Sequence, residues 1–419
     1  MGLFQDITDE GLWREFLSRK REQGCLSRRE EKDLAEYVEN REYLQEAERI
    51  RSGKAFPLPV KHLISKTGTD KKRTVYQFPR GFGYLLKLAA WRMYRYDGIF
   101  AANLWSFRKG RTVRQGIRQL LSAGAGRRLY SYKVDIHDYF NSVDVDRLLP
   151  MLEKIFGENA EETDFCRRLL LEKRVIFEGK IICEEKGIMA GMPLSSFFAN
   201  VYLKEMDAWF EAWGALYARY SDDIIVFAES EEELAEYRRQ VEKFIQDARL
   251  TFNPDKAALT KPGEKWCFLG VSVNGREVDV APVSVKKIKR KMKRKADALV
   301  RWKKRKGASD ERAVRAFIRC FNRKFFENPV HSELTWCRWF FPLITTDESL
   351  KAIDHYMQEC IRYVALGRHS KAGYNLRYET MKEYGYRPLV SAYYGSVPEE
   401  KVKCPHHKTP PFCCRNGRR

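Results

Sequence analysis

No uninterrupted apolar stretch of this 419-residue chain approaches the length needed to span a bilayer, so no membrane-spanning segment is expected. The opening residues, Met1-Gly2-Leu3-Phe4-Gln5-Asp6, lack the basic region and following apolar region of a secretory leader. Internal repeats and low-complexity tracts are also missing. Acidic residues fall well short of basic ones, 57 against 78, which leaves a formal net charge of +21. A field that large works against the compact state through self-repulsion, so it points to a polyanionic partner. On charge alone, nucleic acid and an anionic membrane surface both fit. The ten cysteines are scattered apart from a C-terminal group, a usage that favours reduced thiols in a cytoplasm. With 44% hydrophobic and 13% aromatic residues the chain can bury a full core, and its length suits two or three subdomains.

Residues 1–56 show helical spacing with heavy charge (Leu12, Phe16, Leu17, then Leu34, Tyr37, Val38), which predicts two or three amphipathic helices. Phe56-Pro57-Leu58-Pro59-Val60 breaks the pattern and marks a boundary. A basic loop with Lys66, Lys71, Lys72 and Arg73 enters a strand at Val75, and an aromatic-rich helix is predicted from Tyr84 to Tyr96. Trp105-Ser106-Phe107-Arg108-Lys109-Gly110-Arg111-Thr112 sets three cations around a glycine before a helix, an arrangement suited to phosphate. Between Lys286 and Lys306 stand thirteen Lys or Arg and one acid, Asp297, while Val285, Ile288, Met292 and Leu299 keep helical spacing. That density exceeds what solubility requires and suits a phosphate backbone, with Lys287, Arg290, Lys291 and Arg294 as contacts. The tail, 401–419, carries Cys404, His406, His407, Cys413 and Cys414, whose spacings fit no regular zinc-ligand pair.

Two stretches carry candidate chemistry. Leu129 to Ile136 reads as a buried strand ending in Asp135, a costly place for a charge unless a metal or cation meets it. Tyr220-Ser221-Asp222-Asp223 lies between two short strands, so its acidic pair falls at a hairpin tip. Between them, Gly187-Ile188-Met189-Ala190-Gly191-Met192-Pro193-Leu194-Ser195-Ser196 feeds a long apolar helix. Its small residues permit close backbone approach, as a base pair would need. Leu250 to Lys256 reads as a strand and turn, and Trp266 to Gly275 as a hairpin arm closing the same sheet.

In that order, a strand-end Asp followed by Tyr-Phe, a Gly-Pro-Ser loop and helix, Tyr-x-Asp-Asp and Leu-Gly resemble the palm of reverse transcriptases. Ser106 to Thr112 resembles the Gly-Phe-Arg-Pro-Gly-Arg-Ser element of the group II intron and related bacterial enzymes, Phe252 to Lys256 their Leu-Asn-Pro-Glu-Lys element, and Tyr384 to Val390 their late thumb. The likeness covers roughly residues 65–395. It departs in one place: the Pro-Gln-Gly of intron-type enzymes is Met189-Ala190-Gly191 here. The Val-Thr-Gly of retron enzymes and the Ser-Gln of diversity-generating retroelements are missing too. No maturase or endonuclease domain is expected after residue 400. The chain therefore looks most like a stand-alone, defence-associated bacterial enzyme, of the single-gene type (type 2) that copies a neighbouring noncoding RNA.

The resemblance implies an α+β right-hand polymerase. Fingers and palm would occupy 57–283 and a basic helical thumb 284–400. It implies an RNA-directed DNA polymerase using two Mg²⁺, with Mn²⁺ as the alternative, held by Asp135, the Ile136 carbonyl, Asp222 and Asp223. The incoming dNTP would meet Lys72, Arg73, Tyr139, Phe140, Ala190, Gly191 and Lys256. Within that set, Phe140 would exclude the ribose 2′-hydroxyl, and Lys256 would protonate pyrophosphate. Arg108, Lys109, Arg111 and the thumb cations would hold the RNA template and cDNA. The rival expectations are a mobile or diversity-generating retroelement enzyme and a catalytically silent RNA-binding scaffold.

Overall fold

A computed structural model of the chain describes residues 7–23, 26–65, 72–253, 256–327, 335–370 and 375–396. The Cys/His tail and its zinc question lie outside those residues, as do Lys66 and Lys71. The strands are β1 (Val60–Ser65), β2 (Lys72–Gln77), β3 (Tyr130–Asp135), β4 (Arg174–Phe177), β5 (Lys180–Cys183), β6 (Leu216–Tyr220), β7 (Asp223–Ala228), β8 (Ala258–Thr260), β9 (Trp266–Phe268), β10 (Val271–Asn274) and β11 (Glu277–Val280). They form three sheets, ordered β2-β1-β4-β5, β6-β7-β3-β8 and β11-β10-β9.

The central sheet is antiparallel throughout and carries the candidate chemistry. β3 pairs with β7 so that Asp135 lies opposite Asp223, and β6 pairs with β7 so that Tyr220 lies opposite Asp223. The β3 and β7 residues between are apolar and buried: Val134, Ile224 and Val226 share a core with helices Ser195–Tyr202 and Glu231–Asp247, and Ile225, on the other face, packs with Trp105, Leu120 and Phe268. Such near-continuous apolar strands report burial on both faces.

The sequence reading erred about how this sheet closes. Its fourth strand is β8, paired to β3, while residues 250–253 contribute only a single bridge, Ile136 with Phe252. The Trp266–Gly275 segment turns at Leu269 and Gly270, both at positive φ, into the separate β9-β10-β11 sheet. That sheet packs through Val271, Val273, Val278 and Val280 against the C-terminal helices Pro282–Lys306, Asp310–Phe325 and Glu348–Leu366. In the first sheet one strand of four was legible: β2 was expected, whereas β1, β4 and β5 were not.

Helices Glu10–Glu22, Arg28–Glu39 and Tyr43–Arg51 occupy the expected N-terminal region. They do not stand apart. Trp13, Phe16, Tyr37 and Tyr43 join one hydrophobic core with Phe82, Tyr84 and the central sheet, and Phe16 meets Trp91 at 5.8 Å. The helix expected from Tyr84 runs Arg80–Arg92, followed by a 3-10 turn, Met93–Ile99. Among the described residues no helix is long and apolar enough to cross a membrane.

Candidate active site

The β6–β7 turn is two residues long. Ser221 sits at φ +60, which brings Asp222 to the tip and starts β7 at Asp223. The neighbouring β3 ends at Asp135, and its successor Ile136 donates its N–H to the Asp222 carbonyl at 3.0 Å. Three carboxylates thus stand at the ends of two paired strands. Asp135 is 5% exposed. Burial first, then the carboxylates of Asp135 and Asp223, push Asp222 up to about 6. Burial also raises Asp223, against the pull of Lys133 at 3.4 Å. Such mutual repulsion is the electrostatic mark of a cation site.

Lys256 answers part of that repulsion. Its Nζ donates to both carboxylate oxygens of Asp135 at 2.6 Å. Among the described residues no three carboxylate, imidazole or thiolate groups form a ready-made metal cage. With an ammonium seated on Asp135, the chain supplies its own cation. The donors are oxygen only, the set hard divalent cations prefer.

A buried platform holds the turn, and the sequence reading missed it. Arg219 is fully buried and meets Asp207 through two N–H···O bonds of 2.8 and 2.5 Å. It also donates to the Ser221 carbonyl at 3.2 Å and the Asn200 carbonyl at 3.4 Å. Tyr217 donates to Asp207 at 2.9 Å. Ser106 Oγ accepts the Ser221 N–H at 3.0 Å and donates to Asn200 Oδ1 at 3.1 Å. An arginine inside the strand Leu216–Tyr220 was the readable signal, since a buried cation demands a buried acid.

The nucleotide-site candidates divide. Phe140 is half-buried, its ring against those of Phe107 and Tyr139. Lys72 and Arg73 are exposed at the start of β2, opposite Ser65 and Ile64. Tyr139 and Ala190 do not face a cleft. Tyr139 is buried and donates to the Ala199 carbonyl at 2.6 Å, so its ring is a wall of the core. Ala190 is buried with its N–H on Asn141 Oδ1 at 3.1 Å and its carbonyl on the Tyr76 N–H at 2.8 Å. The close approach permitted by Gly191 is likewise spent within the protein. At φ +100, an added Cβ there would lie 2.5 Å from Val75 Cγ1 and 2.9 Å from the Tyr76 carbonyl. The small residues lock this loop to β2.

Arg108 is a second correction. Its guanidinium is buried, paired with both Asp97 carboxylate oxygens at 3.1 and 3.0 Å and donating to the Ala101 carbonyl at 2.6 Å. It holds the loop, leaving exposed Lys109 and partly exposed Arg111 as the cations able to meet a phosphate. On the Pro282–Lys306 helix, Lys287, Arg290 and Arg294 are exposed. Burial and then the crowding cations Lys324, Lys287 and Arg294 lower Lys291. Lys324, on the next helix, escaped the sequence reading.

Residues 64–273, half of the chain, match the family described as reverse transcriptase (RNA-dependent DNA polymerase). A curated relative, the retron Ec86 reverse transcriptase of Escherichia coli, is 21% identical over 238 residues, covering 55% of this chain and 68% of the relative. Two solved structures are also similar. An apo telomerase of Candida tropicalis truncated from its C-terminal domain is 14% identical, with a TM-score of 0.44, over 54% of this chain and 55% of that one. A telomerase of Candida albicans in complex with a telomeric RNA fragment is 13% identical, with a TM-score of 0.43, over 82% of this chain. The chain spans 63% of the length of the latter.

Proposed function

This chain belongs to the reverse transcriptase family, whose members polymerise DNA on an RNA template with divalent metal ions, and from that premise we propose that it copies one cognate noncoding RNA into cDNA in antiphage defence. The observation that carries the catalytic part is the β3–β7 register, which sets Asp135 beside Asp223 with Asp222 at the adjoining tip. In this reading Asp135, Asp222, Asp223 and the Ile136 carbonyl hold two Mg²⁺. Ions held by these residues would supply activation of the primer 3′-hydroxyl and charge neutralisation at the leaving pyrophosphate.

The chain's own residues do the rest by position and charge. Lys256 leaves Asp135 and delivers a proton to the pyrophosphate. Exposed Lys72 and Arg73 draw the triphosphate toward the sheet. Phe140 stands against the sugar 2′-position, and Lys109, Arg111 and the thumb cations Lys287, Arg290, Lys291 and Arg294 follow the template–product backbone. Fingers and palm over 57–283, the thumb over 284–400 and the N-terminal helices over 1–56 are the proposed domains. The defence role is supported by the Gly187-Ile188-Met189-Ala190-Gly191 loop. A retroelement role keeps the same chemistry and is favoured by the similarity to a retron enzyme.

The test is to purify the protein with its bound nucleic acid, add Mg²⁺ and dNTPs, and sequence both RNA and product. DNA complementary to one co-purifying RNA is expected, as is loss of synthesis with RNA still bound in Asp222→Ala. Bound RNA without any DNA synthesis by the native chain would overturn the polymerase reading in favour of a scaffold. Undiminished synthesis by Asp222→Ala would overturn the metal assignment. A plaque assay with the same variant separates defence from retroelement: protection that survives the loss of synthesis rules out a cDNA-based defence.

A further inference from the structure

Phe107 is an exposed aromatic residue in a run, residues 103–108, that is otherwise buried. It is 40% exposed and belongs to none of the three hydrophobic clusters. Its φ of +55 is a conformation that a bulky residue rarely adopts, and such backbone persists only where the surroundings impose it.

The surroundings here do impose it. Trp105 donates its N–H to the Arg219 carbonyl at 3.0 Å, and Ser106 is tied to Ser221 and Asn200. The Asn200 amide donates to the Ser106 carbonyl at 2.8 Å. On the other side Arg108 is fixed by Asp97 and Ala101. Within residues 103–108 Phe107 is the one exposed side chain.

What the ring meets there is specific. Its centroid lies 6.4 Å from that of Phe140, edge to face at 80°, and 6.0 Å from that of Tyr220. Tyr220 precedes the turn that carries Asp222. Edge-to-face pairs hold a preferred geometry, so Phe107 restricts where the Phe140 ring can swing. Tyr139 also touches Phe140, at 5.9 Å, but it is a buried core residue. Phe107 is the open-side contact of this set.

We propose that Phe107 is a positioning residue for sugar selection: it braces Phe140 against the incoming nucleotide, so that discrimination between deoxyribose and ribose depends on both rings. The proposal rests on the reading of Phe140 as the sugar gate.

The experiment uses the full chain on poly(rA)·oligo(dT), with kcat and KM measured separately for dTTP and rUTP. Phe107→Ala is expected to lower the ratio of the two kcat/KM values about threefold to tenfold, the size one aromatic pair supports, mainly through a lower KM for rUTP. Phe107→Tyr should restore the ratio. The Phe107→Ala/Phe140→Ala double variant should be no more permissive than Phe140→Ala, since one ring acts through the other. Because Phe107 is exposed, its melting temperature should stay near that of the parent, and Phe107→Leu gives a second reading should alanine disturb folding. A ratio unchanged in both the alanine and leucine variants, or effects that multiply in the double variant, would overturn the proposal. If Phe140→Ala itself admits no more rUTP, the gate reading fails and the bracing role with it. If only the Phe107 variants are silent, the gate stands and the brace falls.

Discussion

Breaking the Arg219–Asp207 pair probes the platform beneath the catalytic turn. Arg219 makes two bonds to Asp207 and one each to the Ser221 and Asn200 carbonyls, at full burial. Asp207→Leu leaves that guanidinium with two carbonyl acceptors and no counter-charge. Removing one partner of a buried pair costs about 3–5 kcal/mol. In a chain of this size, at about 2 °C per kcal/mol, melting should fall by roughly 6–10 °C. Arg219→Met should cost a similar amount, since the Asp207 carboxylate would keep only the Tyr217 hydroxyl among these partners. The double variant removes both charges and should recover part of the loss. It should not recover full synthesis, because the bond to the Ser221 carbonyl is gone and the turn carrying Asp222 keeps only its bonds to Ser106 and Ile136. Scanning calorimetry and primer extension on the three variants read the two effects separately. Single variants that melt within about 1 °C of the parent, or a double variant that restores full activity, would refute the reasoning.

Three further outcomes follow from the same structure. Gly187 holds φ +50 with Phe140 O only 2.5 Å and Asn141 C 2.7 Å from where a Cβ would stand. Gly187→Ala should therefore cost at least about 1–3 kcal/mol and impair nucleotide selection by displacing the Phe140 backbone; an unchanged melting curve and sugar preference would contradict this. Asp222 is raised to about 6 from an ordinary 3.8, so the folded, metal-free chain holds this proton more tightly than the unfolded one. Its contribution to stability is present below the ordinary value and is lost as pH rises through 6. A divalent ion must displace the proton, so the thermal stabilisation given by Mg²⁺ should shrink as pH falls from 7.5 to 5, and a constant shift would contradict it. Replacing Lys287, Lys291, Arg294 and Lys324 with Gln should flatten the dependence of log K for RNA on log salt by about 3, at roughly 0.7–0.9 for each phosphate that is no longer neutralised; an unchanged slope would remove this cluster from the interface.

The parts of the site that could be read from the sequence are those written in local order. A strand that ends in an acid, a two-residue acidic turn and a helix with one apolar stripe each declare themselves within a few residues. Asp135, Asp222, Asp223 and the Ile288–Met292–Leu299 stripe accordingly fall where that reading put them. Pairing over distance does not declare itself. β1 meets β4 through Val60 and Ile176, and nothing near either residue names the other. The hairpin at Trp266 carried a correct local signal and was assigned to the wrong sheet for the same reason.

Charge shows that limit most clearly, because a cation's role depends on its partner. Arg108 and Arg111 stand three residues apart in one basic motif, yet Arg108 is consumed by Asp97 while Arg111 remains partly exposed. Arg219 and Lys133 both occupy the central sheet; the first finds Asp207 in the core and the second finds Asp223 at the edge of the site. In a chain with 21 more positive than negative charges, the acidic cluster is the exception, and cations already attend two of its three members: Lys256 on Asp135 and Lys133 on Asp223. Burial first, then two neighbouring carboxylates, raise Asp222. An arriving divalent ion therefore competes with Lys256 for Asp135 and with Lys133 for Asp223. A chain with Lys256→Met should bind such ions more tightly and melt lower without them, whereas a lysine that merely decorated the surface would alter neither.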